Sequence, residues 1–187
     1  AEVQSVLGVG KIPLVLGGDH SSPLGAMQAL AAQYPQFGIL QIDAHADLRQ
    51  AYEGFAYSHA SIMYNALQLP QVTKLVQVGI RDICPEEQVR IAQSDGRIEL
   101  FAETHNRAAQ YQGKSWDMIC QKIVAALPDQ VYLSFDIDGL DPKLCPHTGT
   151  PVPGGLQLEE AVHLLRTLVQ SGRQIIGADL CEVAPGS

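Results

Sequence analysis

Three short stretches of the sequence combine cation-binding side chains with a spacing that lets them converge. The first is Gly17, Gly18, Asp19 and His20; the second is Asp43, Ala44, His45, Ala46 and Asp47; the third is Ser134, Phe135, Asp136, Ile137 and Asp138. Residues two apart in extended chain point to one side, so Asp43, His45 and Asp47 can meet at a point, and the same alternation aims Asp136 and Asp138 together. Any one of these aspartates alone reads best as a helix cap or turn former, the commonest use of Asp after a strand. Four carboxylates and two imidazoles at the ends of three apolar runs are a different matter. Carboxylates held close together repel and raise one another's pKa unless a cation neutralises them, which points to metal. Mostly carboxylate with some imidazole, and free of cysteine, the set suits a hard divalent ion such as manganese; cobalt and nickel accept the same donors. Six side chains are too many for one ion that also holds water, whereas two ions roughly 3.5 Å apart, bridged by carboxylates, use them all.

The elements that must position these residues follow from the alternation of short apolar runs, ending in Gly or Asp, with longer amphipathic ones. That is the pattern of an α/β protein with a largely parallel sheet. Strands are expected over residues 13–16, 37–43, 74–79, 98–101, 131–136 and 174–179, and helices over 22–33, 58–67, 85–94, 115–126 and 156–171. Pro85 stands at a first-turn position, and the stretch from Gln157 to Glu160 places acidic residues in an early turn. Residues 145–155, with three prolines and three glycines, form a structured loop, because neither helix nor strand tolerates that density. The first two motifs then follow strands directly and the third closes one, at the carboxyl edge of the sheet where α/β proteins bind ligands.

A length of 187 residues fits one domain spanning the whole chain. With 46% apolar and 17% charged residues the composition is that of a globular protein. No run of eighteen apolar residues occurs, so no membrane span is expected. The opening stretch, with Glu2 and Lys11, is unlike a signal peptide, which makes a cytoplasmic location the expectation. Cys84, Cys120, Cys145 and Cys181 lie far apart and read as buried, reduced thiols. A net charge of -8 without a Lys/Arg cluster excludes a nucleic-acid face and fits a cationic ligand.

The motifs G-G-D-H at residues 17–20, D-A-H-A-D at 43–47 and S-F-D-I-D-G-L-D-P at 134–142 resemble the three signatures of the ureohydrolases, the arginase and agmatinase family. The likeness continues through T-G-T-P-V-P-G-G-L at 148–156 and E-V-A-P at 182–185, covering nearly the whole chain. It implies a three-layer α/β/α fold with a mostly parallel sheet, and two manganese ions. By this resemblance His20 and Asp47 belong to one ion and His45 to the other, Asp43 and Asp136 bridge, and Asp138 completes the second. His59 resembles the family's proton-shuttling histidine, although without the metal motifs it would read as the start of an ordinary helix. Glu182 resembles the carboxylate that grips the guanidinium, and a planar cationic fork requires such a partner; read alone, it is a strand-end glutamate pairing with a surface Arg or Lys. The implied reaction is hydrolysis of a guanidino compound to urea and an amine, with Asp47 passing a proton to the departing nitrogen. His105, His147 and His163 match no ligand position, and His147 is placed at most on the site rim.

Substrate choice is expected to rest on residues 48–58. The Asn, Ser and Thr with which arginases hold the amino-acid head group are mostly absent there, and the wording D-A-H-A-D-L-R and Y-S-H-A-S resembles agmatinases. Agmatine is therefore the first choice, with Glu53 as partner for its distal ammonium; Arg49 points instead to a carboxylate, as in guanidinobutyrate or arginine. A non-catalytic metal-binding relative, a two-metal phosphoesterase and a single-metal deacetylase on a related fold are the other classes. Family members usually carry further strands and helices on both flanks and are commonly homo-oligomers. This chain is accordingly read as part of a longer one, with sheet edges uncovered.

Overall fold

A computed structural model of the chain describes residues 1–186. Six strands, β1 (Leu14–Leu16), β2 (Phe37–Ile42), β3 (Val72–Val78), β4 (Ile98–Phe101), β5 (Gln130–Asp136) and β6 (Gln174–Cys181), form one sheet in the order β1-β6-β5-β2-β3-β4. Every pairing is parallel. β2 is buried along its whole length, as an interior strand covered on both faces must be, which is why it reads F-G-I-L-Q-I and not as an apolar-polar alternation. Phe37 and Ile39 of β2 pack with the helices α1 (Glu2–Gly8), α2 (Leu24–Ala31) and α3 (Ile62–Ala66), and α4 (Pro85–Ala92) adds Ile91 to the same layer. Leu40 and Ile42 pack on the other face with α6 (Trp116–Ala125) and α7 (Leu158–Gln170), which α5 (Glu103–Tyr111) joins through Ala109. The result is the expected three-layer α/β/α arrangement.

The six strands fall where the sequence places them, with ends shifted by one or two residues. The helices differ more. α1 and α5 carry no clear apolar period, and α5 buries only Asn106. What holds α5 is tertiary: the Arg107 guanidinium bonds Glu160 at 3.0 Å and the Gly155 carbonyl at 2.9 Å. The helix expected over 58–67 divides into a 3-10 turn, His59–Ser61, and α3. Start signals hold at α4 and α7, where Glu87 accepts the Cys84 amide at 2.9 Å and Glu160 the Gln157 amide at 3.0 Å.

Residues 145–155 form the expected loop. Gly155 anchors its end at φ 104°, with space for a Cβ only 2.5 Å from the Leu140 carbonyl, so no other residue fits there unstrained. All four cysteines are free, Cys120, Cys145 and Cys181 buried and Cys84 half-buried. The edge strand β1 leaves Leu14 and Leu16 exposed. Among the described residues no helix is long and apolar enough to cross a membrane.

Candidate metal centre

β2 and β5 are neighbours, and the chain leaves them in opposite directions across the sheet: β2 leads to β3 and β4 on one side, β5 to β6 on the other. Such a point opens a crevice at the carboxyl edge. Asp43 directly follows β2 and Asp136 ends β5. His20 arrives on the segment after β1, which lies beyond β6.

There the buried Nδ1 of His20 lies 3.0 Å from Asp43 Oδ2, 3.0 Å from Asp47 Oδ2 and 3.2 Å from Asp136 Oδ2. The Nδ1 of His45 lies 3.1 Å from Asp138 Oδ2 and 3.6 Å from Asp43 Oδ1. Two groups of potential ligands result, His20 with Asp43 and Asp136, and Asp43 with His45 and Asp138. Asp43 belongs to both, one oxygen facing each.

The structure offers its own test of whether a cation fits. Three carboxylate oxygens surround His20 Nδ1, yet none accepts a hydrogen bond from it in proper geometry, which leaves a buried ring nitrogen without a partner. A buried polar atom in that position requires an explanation, and a cation shared among the four groups provides one. Burial alone would lower the His20 pKa, but Asp136, Asp43 and Asp47 outweigh it and hold the imidazole well above its ordinary value. Burial and the adjacent Asp43 charge push Asp47 up to about 8 and Asp136 up to about 9. Against the opposing effect of burial, His20 and His45 draw Asp43 far below the carboxylate range. Burial likewise opposes the rise of His45 to about 11, which Asp138 and Asp43 impose. Carboxylates that retain protons near neutrality, facing imidazoles that refuse to lose theirs, are groups a divalent cation would discharge together.

The backbone at the site is strained and held in place. Asp47 has φ 53°, and its carbonyl accepts the Met63 and Tyr64 amides at 3.1 and 3.2 Å, so α3 fixes the turn. Glu182 has φ 61°. Its amide bonds the Gly18 carbonyl at 3.0 Å, and its Oε1 accepts the His20 amide at 2.8 Å, which ties the end of β6 to the first motif. Thr150, from the 145–155 loop, reaches Asp138 Oδ2 at 3.4 Å. The buried Arg81 bonds the carbonyls of Asp138 and Val152 at 2.7 and 2.9 Å and joins that loop to the third motif.

A cleft of about 130 Å3 opens beside the cluster, lined by His45, Asp47, Arg49, Tyr52, His59, Ala60, Asp82, Glu87 and Thr150. His59 meets the Tyr52 ring edge-on at 5.6 Å, and the Arg49 guanidinium sits 5.4 Å over the same ring. Glu53 is elsewhere. It occupies the exposed tip of the tight turn joining Tyr52 to Phe55, outside the residues that line the cleft. His147 lies beside Gly186, outside them too, while His105 and His163 lie on α5 and α7. A larger groove of about 480 Å3 between α3 and α4 contains none of the candidate residues.

Four buried polar residues support the cluster, and of these only Ser134 belongs to one of the motifs, without a role read for it there. His20 Nε2 bonds Ser134 Oγ at 2.8 Å, which in turn donates to Asp179 Oδ1 at 3.2 Å. Gln41 donates to Asp43 Oδ2 at 2.8 Å and is itself bonded by Gln77 at 2.6 Å. Their one signal in the sequence is a polar residue inside an apolar strand.

A family model described as the arginase family matches residues 1–187. The chain belongs to the arginase family. It is 38% identical over 179 residues to the N(1)-aminopropylagmatine ureohydrolase of Thermus thermophilus, covering 96% of this chain and 57% of that protein. The guanidinobutyrase of Pseudomonas aeruginosa is 32% identical over 192 residues, covering 98% of this chain and 56% of that protein. The crystal structure of agmatine ureohydrolase of Thermoplasma volcanium superposes with a TM-score of 0.80 at 30% identity, covering 98% of this chain and 58% of that one. This member of the arginase family thus spans little more than half the length of the relatives it matches.

Proposed function

We propose that this chain carries the active centre of a hydrolase that splits a guanidino compound into urea and an amine, using two divalent cations, manganese by preference. The observation that carries the proposal is the unpartnered His20 Nδ1 within 3.2 Å of three carboxylates, beside a second group that shares Asp43. His20, Asp43, Asp47 and Asp136 would hold one cation, and Asp43, His45, Asp136 and Asp138 the other. When bound, such a pair supplies Lewis acidity and a water acidified towards neutrality.

The rest is work for the chain's own side chains. Glu182, with Oε1 engaged by the His20 amide, offers Oε2 to a guanidinium N–H and orients its planar carbon over the centre. Asp47 takes a proton from the attacking water and delivers it to the departing nitrogen as the new C–O bond replaces the C–N bond. His59, steadied by the edge of Tyr52 and reached through the cleft, exchanges protons between that nitrogen and solvent.

The substrate class is a guanidine with a cationic tail, agmatine first. Asp82, which lines the cleft and is 63% exposed at its side chain, supports this, as does the net charge of -8. Arg49, held over Tyr52 in the same cleft, supports guanidinobutyrate as the second reading, and that relative's name accords with it. Glu53 serves only substrates long enough to leave the cleft. The protein works in a reducing cytoplasm, in keeping with four free thiols, and as a homo-oligomer in its full-length form. Urea release from agmatine, N(1)-aminopropylagmatine, guanidinobutyrate and arginine, measured with added manganese, tests the reading. Agmatine or its aminopropyl derivative should lead. A lead by guanidinobutyrate or arginine overturns the substrate order, and manganese binding without urea from any of the four identifies a non-catalytic relative.

A further inference from the structure

Gln41 and Gln77 face one another across the β2–β3 pair, both fully buried, and the proposed chemistry uses neither. A primary amide in such a place is costly unless its hydrogen bonds are made. Gln41 gives both Nε2 hydrogens to the metal loop, one to Asp43 Oδ2 at 2.8 Å and one to the His45 carbonyl at 3.1 Å. Its Oε1 accepts from Gln77 Nε2 at 2.6 Å, and Gln77 gives its other hydrogen to the Ala46 carbonyl at 2.7 Å.

The two ends of an amide are alike in shape and opposite in charge, so something must decide which end meets Asp43. The order of decision runs through the chain of bonds. The His45 carbonyl only accepts and draws the Gln41 nitrogen to its side; the Ala46 carbonyl likewise only accepts and turns the Gln77 nitrogen towards it, which leaves Gln77 Oε1 buried without a partner. That nitrogen then demands an acceptor from Gln41, and the Gln41 nitrogen is left to face Asp43. Were Gln41 reversed, its oxygen would oppose the Asp43 carboxylate and its NH2 would oppose the NH2 of Gln77. Asp43 stands in both ligand groups, one oxygen facing each imidazole, so a misplaced carboxylate harms both.

We propose that Gln77, acting through Gln41, is a positioning residue of the metal centre: together with the His45 carbonyl it locks the amide polarity that holds Asp43 ready for cations. The inference rests on the metal-binding reading of the site and is independent of the substrate. Titration of the full chain with manganese ion alone, followed by the paramagnetic signal of the free ion, tests it in the parent, Gln41→Met, Gln77→Met and the double variant. Each single substitution is expected to weaken binding ~10-fold, the scale of a lost outer hydrogen bond at a metal site. In the Gln41→Met background Gln77→Met should add less than about twofold, since its route to Asp43 is already cut. Parental affinity in Gln77→Met, or additive losses in the double variant, overturns the proposal. Failure of the parent to bind manganese overturns the metal reading itself. Melting of each metal-free variant by circular dichroism establishes folding, and if Gln77→Met does not fold, Gln77→Asn, shorter by one methylene and still polar, takes its place in the cycle.

Discussion

The Nε2 of His20 and the hydroxyl of Ser134 are 2.8 Å apart, both buried, and the hydroxyl hydrogen is committed to Asp179 Oδ1 at 3.2 Å. Ser134 therefore accepts from Nε2–H, so that when a cation displaces the second ring proton it is Nδ1 that presents a lone pair among the three carboxylates. One hydroxyl on β5 decides the tautomer of a ring carried in from beyond β1.

Ser134→Ala should weaken manganese binding about 10–100-fold, the usual cost of losing such a partner. Titration with the ion and the melting temperature of the metal-free protein check this together. Unchanged affinity would mean that His20 is oriented by packing alone.

Stability of the metal-free protein should fall as pH rises from 6 to 9. Burial and Asp43 raise Asp47 to about 8 and Asp136 to about 9, and the surrounding carboxylates overcome burial to raise His20. The folded chain then binds protons that the unfolded chain has released, at about pH 4 for the carboxyls and about 6.5 for the imidazole, so unfolding releases protons and is favoured by alkali. Asp43, displaced downwards, contributes its change only in acid, outside this window. Melting curves in chelator should show the decline. Manganese should flatten it and release protons on binding, as calorimetry in buffers of different ionisation enthalpy can measure. A melting temperature that rises across the window in chelator contradicts this account.

Glu182→Gln preserves an acceptor for the His20 amide and removes the charge offered to the guanidinium. A charge-assisted hydrogen bond of about 1.5–3 kcal/mol corresponds to a 10–100-fold loss of kcat/KM. Manganese affinity should change less than about twofold. A large loss of affinity would place Glu182 in the metal site.

Gly155→Ala puts a methyl group 2.5 Å from the Leu140 carbonyl at φ 104°. Strain of this kind costs roughly 1–3 kcal/mol, or a fall of about 2–10 °C in melting temperature for a domain of this size. The loop carrying Thr150 would shift as well, loosening its 3.4 Å contact with Asp138. Unaltered thermal melting would show that the loop yields freely.

Strands were legible because interior parallel strands are continuous apolar runs, and the candidate metal ligands because they break those runs at the carboxyl edge. α5 was illegible: E-T-H-N-R-A-A-Q-Y has no apolar stripe, and its helix is secured by Arg107 reaching Glu160 and Gly155. The supporting amides were illegible for a related reason. Gln41 and Gln77 lie 36 residues apart and become partners only through the β2–β3 register.

Residue type and spacing by themselves determined that Asp43, His45, Asp47, Asp136 and Asp138 would stand at strand ends, because periodicity is a local property that a run of side chains displays without a fold. Tertiary structure alone decided that Asp43 would face both imidazoles, that His20 would turn Nδ1 and not Nε2 to the carboxylates, and that Glu53 would leave the cleft on the tip of a turn. Those outcomes depend on strand order and on which buried group finds its hydrogen-bond partner, and both are settled by contacts between distant segments.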